Sequence, residues 1–363
     1  MVRQAHHERN QRLFGLIFLL FATCTAFVLG RFIGHADVPP PPPFAPKRDL
    51  LLSQRPSSPS ATPSIRNWLT SILPSQSGDT DIDSDVDPIA SYEDLMYAQP
   101  DLVNASLKRL RPQKPGKVDL YALGFAGDGQ ENVFRNEVDY LPKLLAQRFG
   151  AEGRMLQLIN SPRTFEKTPL ATRTNLYDAL SGIAATMDVD EDILLLFLTS
   201  HGSRDHQLFV EMGELPLDQI TPQDIRDALD AAHIRWRIVV ISACYSGGFI
   251  PALRDSHTMI ITAARSDRTS FGCGSDSQIT WFGKAFLTEA LNQTTDFHDA
   301  YLRARTTIAG WEKRDGETPS EPQYWAGTEI QQKLDAWRTT LPSAAAVPFL
   351  PASIASRTHH RTQ

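Results

Sequence analysis

ILLLFLTSHG (residues 193–202) and RIVVISACYSGG (residues 237–248) are the two stretches that decide the fold of this chain. Each is a short run of Leu, Ile, Val and Phe that ends near a reactive residue, His201 in the first and Cys244 in the second. Both alternating faces of each run are apolar, which is typical of a strand buried between two helix layers in a parallel sheet. The sequence therefore predicts two buried strands that end at His201 and Cys244.

Strand and helix patterns alternate on both sides of these runs. The clearest further segments are VDLYALGF (118–125), followed by the glycine-rich AGDGQ, then a helix over 136–150 closing at Gly150, and the strands RMLQLIN (154–160) and TMIITAA (258–264). Thr221, Pro222 and Asp224 have the order of a capping box and predict the start of another helix. This alternation predicts an α/β domain with a mainly parallel sheet.

The composition restricts the class of protein. A chain of 363 residues with 41% hydrophobic content can bury a large core. Its net charge of -6 gives no basic surface for nucleic acid, and no nucleic-acid partner is predicted. The cysteines, Cys24, Cys244 and Cys273, are too few for a disulfide framework, and a bridge between the last two would consume the reactive thiol of Cys244. No motif predicts a metal or a cofactor, since the acidic stretch 78–88 lacks the EF-hand glycine and terminal glutamate.

The N-terminus predicts a membrane segment. LFGLIFLLFATCTAFVLG (13–30) is uncharged and of near-spanning length, and more cations precede it than follow it, which places the N-terminus in the cytoplasm. We interpret residues 1–12 as a cytoplasmic N-terminus and 13–34 as an uncleaved transmembrane signal-anchor; a cleaved signal peptide is the alternative. The protein is then a single-pass membrane protein whose main domain lies on the outer side, periplasmic in a bacterium.

The composition changes again after this segment. Residues 35–90 are rich in Pro and Ser and then in Asp, which favours extended, solvated backbone and predicts a linker. Ordered structure is expected to begin near Ser91, with the main folded domain over 91–340. Residues 341–363 have the composition of a flexible tail. The sequence gives no indication of the oligomeric state.

His201 and Cys244 together predict the chemistry. Open parallel sheets place their active sites just beyond the carboxyl ends of the strands, where an imidazole base and a thiol nucleophile would meet. The turn from the Cys244 strand into a helix would favour the thiolate, and the NH groups of Gly202 and Cys244 could converge on an oxyanion. Alone, each residue is explained by a structural role; together, they predict a cysteine peptidase.

TSHGS (199–203), SACYSGGF (242–249) and TAARSDRTSFGCGSD (262–276) resemble the legumain-type, asparaginyl endopeptidase-like cysteine peptidases of the caspase-like clan. The resemblance spans roughly residues 99–330 and is strongest to bacterial, membrane-anchored members. It implies a caspase-like three-layer α/β/α sandwich that cleaves polypeptides through a thioester, without metal or cofactor. It also implies a catalytic dyad of His201 and Cys244, with Gly202 and Cys244 as oxyanion donors.

The residues that set specificity in legumains are only partly matched. Legumains bind an asparagine side chain with an arginine, a histidine, a glutamate, a serine and an aspartate. The counterparts in this chain are, in that order, Arg135, Asn136, Ser242, Thr269 with Ser270, and Thr280. Asn132, one position out of register, matches the asparagine that orients the legumain histidine. Loss of both acids with retention of Arg135 predicts a preference for an acidic substrate side chain; a surface salt bridge is the alternative role for Arg135.

Two other functions stay open at the level of sequence. The clan includes a membrane-tethered transamidase, in which an amine instead of water resolves the thioester. A non-catalytic ectodomain that keeps the fold and binds a peptide is the second alternative. Retention of His201, Cys244 and the adjacent glycines favours an enzyme.

Overall fold

A computed structural model describes residues 91–274 and 276–351. The predicted signal-anchor at 13–34, the predicted linker at 35–90 and the last part of the predicted tail, 352–363, lie outside the described residues. Among the helices that are described, none has the length and apolar character needed to span a membrane.

Six strands in the described part of the chain form one mixed sheet. They are β1 (Leu120–Ala126), β2 (Met155–Ile159), β3 (Ile193–Thr199), β4 (Trp236–Ser242), β5 (Thr258–Thr262) and β6 (Gln323–Ala326). Their order is β2-β1-β3-β4-β5-β6, with β1 to β5 parallel and β6 antiparallel to β5. The predicted mainly parallel sheet is confirmed, and its innermost strands include the two that end before His201 and Cys244.

Helices connect and cover these strands. They are α1 (Tyr92–Tyr97), α2 (Gln99–Lys108), α3 (Asn132–Phe149), α4 (Arg173–Ala184), α5 (Pro222–Ala231), α6 (Ile250–Leu253), α7 (Trp281–Gly283), α8 (Leu291–Gln293), α9 (Phe297–Asp315) and α10 (Thr328–Arg338). A 3₁₀ helix (Ser246–Phe249) precedes α6, and a π-helix (Lys284–Ala290) joins α7 to α8.

Local signals in the sequence account for two of the helix ends. The capping box that opens α5 is present, because the Thr221 hydroxyl accepts from the NH of Asp224 and the Asp224 carboxylate accepts from the NH of Thr221. Helix α3 ends as predicted at Gly150, whose φ of 66° lies in the left-handed region. It begins at Asn132, four residues before the predicted start, because Val133 and Phe134 extend its buried face.

The sheet separates two hydrophobic cores. One face of β3 contributes Ile193, Leu195 and Phe197 to the core shared with α3, α9 and α10. The other face contributes Leu194, Leu196 and Leu198 to the core shared with α4 and α5. All seven residues of β3 are buried, as predicted for a strand between two helix layers. The arrangement is a three-layer α/β/α sandwich.

Part of the region with the composition of a flexible tail packs on α3. The Tyr140 hydroxyl donates to the carbonyl oxygen of Val347 at 2.7 Å. The Asn292 side chain bonds to the carbonyl oxygen and the NH of the same residue, at 3.0 and 2.6 Å. The Phe349 ring meets the Tyr140 ring edge-on at 5.5 Å between centroids. These are long-range contacts, which local composition does not reveal.

Candidate active site

The ends of three adjacent strands form a row at one edge of the sheet. Ala126 of β1 pairs with Thr199 of β3, which in turn pairs with Ser242 of β4. Two residues beyond these partners lie Asp128, His201 and Cys244 respectively. The NH of Ser200 donates to the carbonyl oxygen of Ser242 at 3.3 Å and extends the pairing toward the row. We call Asp128, His201 and Cys244 the strand-end row.

Cys244 lies at a sharp turn. Tyr245, the next residue, has a φ of 57° in the left-handed region, and its NH donates to the carbonyl oxygen of Arg268 at 2.7 Å. The sequence predicted a turn from the strand into a helix here, and the chain enters the short 3₁₀ helix, which α6 follows. The Cys244 sulfur accepts a hydrogen bond from the NH of Ser270 at 3.3 Å, and the Ser270 hydroxyl lies 3.6 Å away. Ser270, predicted only to bind substrate, therefore contacts the candidate nucleophile.

Gly202 packs directly on the backbone of Cys244. A Cβ placed on Gly202 would approach the Cys244 carbonyl oxygen to 2.1 Å, so this position requires glycine. Within the described residues, neither the NH of Gly202 nor that of Cys244 donates a hydrogen bond to a protein acceptor. Two free NH groups on abutting backbone segments are the arrangement that an oxyanion site requires.

Two side chains lie beside the imidazole of His201, and one hydrogen bond holds its main chain. Its Nε2 lies 3.8 Å from Oδ2 of Asp128, and the Phe134 ring meets it edge-on with centroids 5.1 Å apart. The NH of Phe209 donates to the His201 carbonyl oxygen at 3.0 Å. The His201 side chain is 37% exposed whereas that of Asp128 is 6% exposed, so the imidazole can meet a substrate while its acidic neighbour is shielded. The NH of Gln130 donates to Oδ1 of Asp128 at 2.7 Å and fixes the carboxylate.

Local sequence patterns do not identify Asp128 as a site residue. Its segment, AGDGQ, follows the first strand, and Asn132 was instead matched to the residue that orients the histidine. Asn132 is the first residue of α3, and within the described residues no contact of its side chain with His201 is found. The signal that identifies Asp128 is the register of β1 on β3, which a single sequence does not contain.

A buried carboxyl group lies behind the strand-end row. Oε2 of Glu137 accepts from the Thr199 hydroxyl at 2.6 Å, and Oε1 accepts from the NH and the hydroxyl of Thr280 at 3.1 and 2.5 Å. The Thr280 hydroxyl oxygen lies 3.2 Å from that of Ser242. Burial raises the pKa of Glu137 to about 7, because the hydrogen bonds offset only part of the cost of removing a charge from water. Local sequence patterns do not identify Glu137 either.

The predicted substrate-binding residues fall into separate groups. Ser242 and Thr280 meet at Glu137, and Ser270 contacts Cys244, whereas Thr269 is exposed. Arg135 is only 3% exposed, so it is not a surface salt-bridge residue, although its Nε lies 3.7 Å from the Asp139 carboxylate.

The guanidinium group of Arg135 is incompletely paired. One terminal nitrogen donates to the Asn136 side chain at 3.1 Å, and the Asn136 amide donates to the carbonyl oxygen of Gln278 at 2.9 Å. The buried Nε of Arg135 has no hydrogen-bond partner among the described residues. Burial, reinforced by the nearby Arg163, lowers the pKa of Arg135.

Cys244 and Cys273 are both free thiols. Burial, with a smaller contribution from Cys244, raises the pKa of Cys273 to about 11, so this second thiol is a poor nucleophile near neutral pH. Among the described residues, no cluster of three or more His, Cys, Asp or Glu side chains could hold a metal ion.

A family model and a solved structure are similar to parts of this chain. A model of the Peptidase C13 family matches residues 172–333, a range that contains His201 and Cys244 but not Asp128 or Glu137. No match to the chain is found among curated proteins. The crystal structure of caspase-1 from Spodoptera frugiperda aligns with a TM-score of 0.42 and 14% identity, over 60% of this chain and 94% of the caspase chain.

Proposed function

We propose that the chain is a legumain-like cysteine endopeptidase with a caspase-like fold, in which Cys244 is the nucleophile and His201 the general base and acid. The observation that carries the proposal is the shared register of β1, β3 and β4, which brings an acid, an imidazole and a thiol to one sheet edge. The match of residues 172–333 to the Peptidase C13 family agrees with this chemistry.

Peptide hydrolysis follows from these groups in two steps. The Cys244 thiol gives its proton to His201, the sulfur attacks the carbonyl carbon, and the oxygen becomes an oxyanion that accepts from the NH groups of Gly202 and Cys244. The C–N bond then breaks, and His201 returns the proton to the leaving amine. Water next attacks the thioester, His201 takes its proton, and the S–C bond breaks to release the acid and restore the thiol.

Asp128 is proposed to position His201. A carboxylate at 3.8 Å from Nε2 favours one orientation of the ring and stabilises the imidazolium that forms during attack. The Phe134 ring restricts the imidazole from another side. The NH of Gln130 holds the Asp128 carboxylate in place, so its orientation does not depend on substrate.

Arg135 is proposed to favour an acidic side chain in the residue before the cleaved bond. Its guanidinium is buried and its Nε lacks a hydrogen-bond partner among the described residues, so a substrate carboxylate that reached its terminal nitrogens would form a strong, charge-assisted pair. Ser242 and Thr280, which replace the two legumain acids, add no negative charge, and the Glu137 carboxyl faces their hydroxyls. Cleavage rates of matched peptides with Asp or Asn at this position, compared in the wild type and in Arg135→Ala, test the assignment.

The membrane-anchored topology is also proposed. It rests on the apolar segment at 13–34 and on the charges that flank it, which place residues 91–340 on the outer side of the membrane. Polypeptides on that side are the proposed substrates. Digestion of intact and permeabilised cells with an added protease tests the topology, since only an outward-facing domain is cut in intact cells.

Peptide-library cleavage by the full-length chain tests the activity. The matched variants are Cys244→Ala and Cys273→Ala, which remove the two described thiols in turn. We expect Cys244→Ala to abolish cleavage and Cys273→Ala to retain it. Ligation to an added amine in place of hydrolysis would indicate a transamidase. A folded wild type that neither cleaves nor reacts at Cys244 with iodoacetamide would favour a peptide-binding domain.

A further inference from the structure

Glu137 is hydrogen-bonded to the end of β3, the strand that precedes His201. Its Oε2 accepts from the hydroxyl of Thr199, the last residue of β3, at 2.6 Å. Phe134, one helical turn earlier on α3, packs on the His201 ring itself. Helix α3 therefore restrains this strand end at two points, one polar and one aromatic.

The same carboxyl group is linked to the end of the Cys244 strand. The Thr280 hydroxyl donates to Oε1 of Glu137 and accepts from the NH of Gly283 at 2.8 Å, so its single proton is committed. The Ser242 hydroxyl, 3.2 Å away, must therefore be the donor to Thr280. Since Ser242 is the last residue of β4, a directed chain of hydrogen bonds runs from this strand end to Glu137.

Thr280 also connects Glu137 to the loop beside the nucleophile. The loop between β5 and α7 carries Ser270, whose NH donates to the Cys244 sulfur at 3.3 Å. The loop ends at Thr280, where both the NH and the hydroxyl are bound by Glu137. One carboxyl group thus fixes two strand ends and the end of the loop that contacts the sulfur.

We propose that Glu137 is a positioning residue that holds His201, Cys244 and the Ser270 loop in their working arrangement. A fully buried carboxyl group is costly, and an apolar residue would fill the same volume without that cost. An apolar residue would form no directional bonds to Thr199 and Thr280. The assignment rests on the proposed peptidase function, but the position of the thiol can also be measured without a substrate.

Isosteric variants of the full-length chain test the proposal. Thr199→Val removes the bond from β3 to Glu137, whereas Glu137→Gln keeps its shape, because the amide oxygen can accept from Thr280 and the amide nitrogen can donate to Thr199. Thr262→Val is the matched control. Thr262 is a buried threonine that ends β5, and its hydroxyl bonds to Ala264 and not to Glu137.

We expect Thr199→Val to lower kcat for peptide cleavage about 10-fold with little change in KM, and to slow alkylation of Cys244 by iodoacetamide to a similar extent. Glu137→Gln and Thr262→Val should keep both rates within about 3-fold of the wild type. If Glu137 has only a structural role, Thr199→Val will have a lower melting temperature but the same cleavage and alkylation rates as Thr262→Val. That result would overturn the proposal.

The two readouts separate this inference from the proposed function. A wild type that alkylates rapidly at Cys244 but cleaves no peptide would refute the peptidase, and the alkylation rates would still decide the role of Glu137. A wild-type Cys244 that reacts no faster than Cys273 would overturn both, since no positioned pair would then exist.

Discussion

Replacing Glu137 by glutamine should change how the stability of the domain depends on pH. The pKa of this carboxyl group rises from 4.5 to about 7 on folding, because burial disfavours its charged form. Between these two values the folded protein retains a proton that the unfolded chain releases. The free energy of unfolding that Glu137 contributes is therefore fully present below about pH 4.5 and is lost as the pH rises through about 7.

The size of the effect follows from the shift. One pKa unit corresponds to about 1.4 kcal/mol, so the rise gives about 3 kcal/mol of pH-dependent stability. The glutamine variant resembles the protonated acid at every pH and has no such loss. Relative to the wild type, the variant should thus gain about 3 kcal/mol between pH 4.5 and pH 7.5.

Urea unfolding of the full-length chain, followed by tryptophan fluorescence at a series of pH values, measures this difference. All other titrating groups are common to both proteins, so they cancel in the comparison unless they contact Glu137. The described side chains that interact with Glu137 are the hydroxyls of Thr199, Thr280 and Ser242, which do not titrate in this range, and the Cys273 thiol, whose pKa of about 11 lies above it. Parallel curves for the two proteins would refute the reasoning and would mean that folding does not raise the pKa of Glu137.

Three other outcomes are expected. Asp128→Asn should lower kcat about 100-fold while the protein stays folded, because the amide cannot stabilise an imidazolium at His201. A full pH–rate profile checks this expectation, and an unchanged kcat would contradict it. Gly202→Ala should abolish cleavage and lower the melting temperature, since the added Cβ would lie 2.1 Å from the Cys244 carbonyl oxygen. The inactive control is Cys244→Ala, which should remain as stable as the wild type. Iodoacetamide at about pH 7.5 should modify Cys244 and leave Cys273 unmodified, because a pKa of about 11 leaves only about 0.03% of Cys273 as thiolate. Peptide mass spectrometry reports labelling at both sites. Equal labelling would show that burial does not suppress the reactivity of the Cys273 thiol.

Local patterns predicted the elements that they encode directly. The runs that became β3 and β4, the capping box of α5 and the end of α3 at Gly150 all depend on residues close in sequence. The same local information identified His201 and Cys244 as the residues that follow two buried strands. Their placement at one edge needed only the expectation that the strands are parallel neighbours.

The residues that were missed depend on contacts across the sequence. Asp128 reaches His201 only because β1 pairs with β3 in one particular register. Glu137 looks like an exposed helical residue, and its burial follows from partners 62 and 143 positions away, Thr199 and Thr280. The tail contacts at Val347 are of the same kind. Neither periodicity nor composition reports such pairings.

The strand-end row follows interior strands of the sheet, and this position determines how often local unfolding disturbs the site. β1, β3 and β4 are interior strands, with β2 on one border and β5 followed by β6 on the other. Opening of a protein under native conditions begins at weakly protected borders and reaches the central strands last. Amide protons of β3 should therefore exchange with solvent among the slowest in the domain, and those of β6 far sooner. The strand ends that precede His201 and Cys244 thus belong to the slow-exchanging centre of the sheet, so fraying at either border leaves these two strand ends paired.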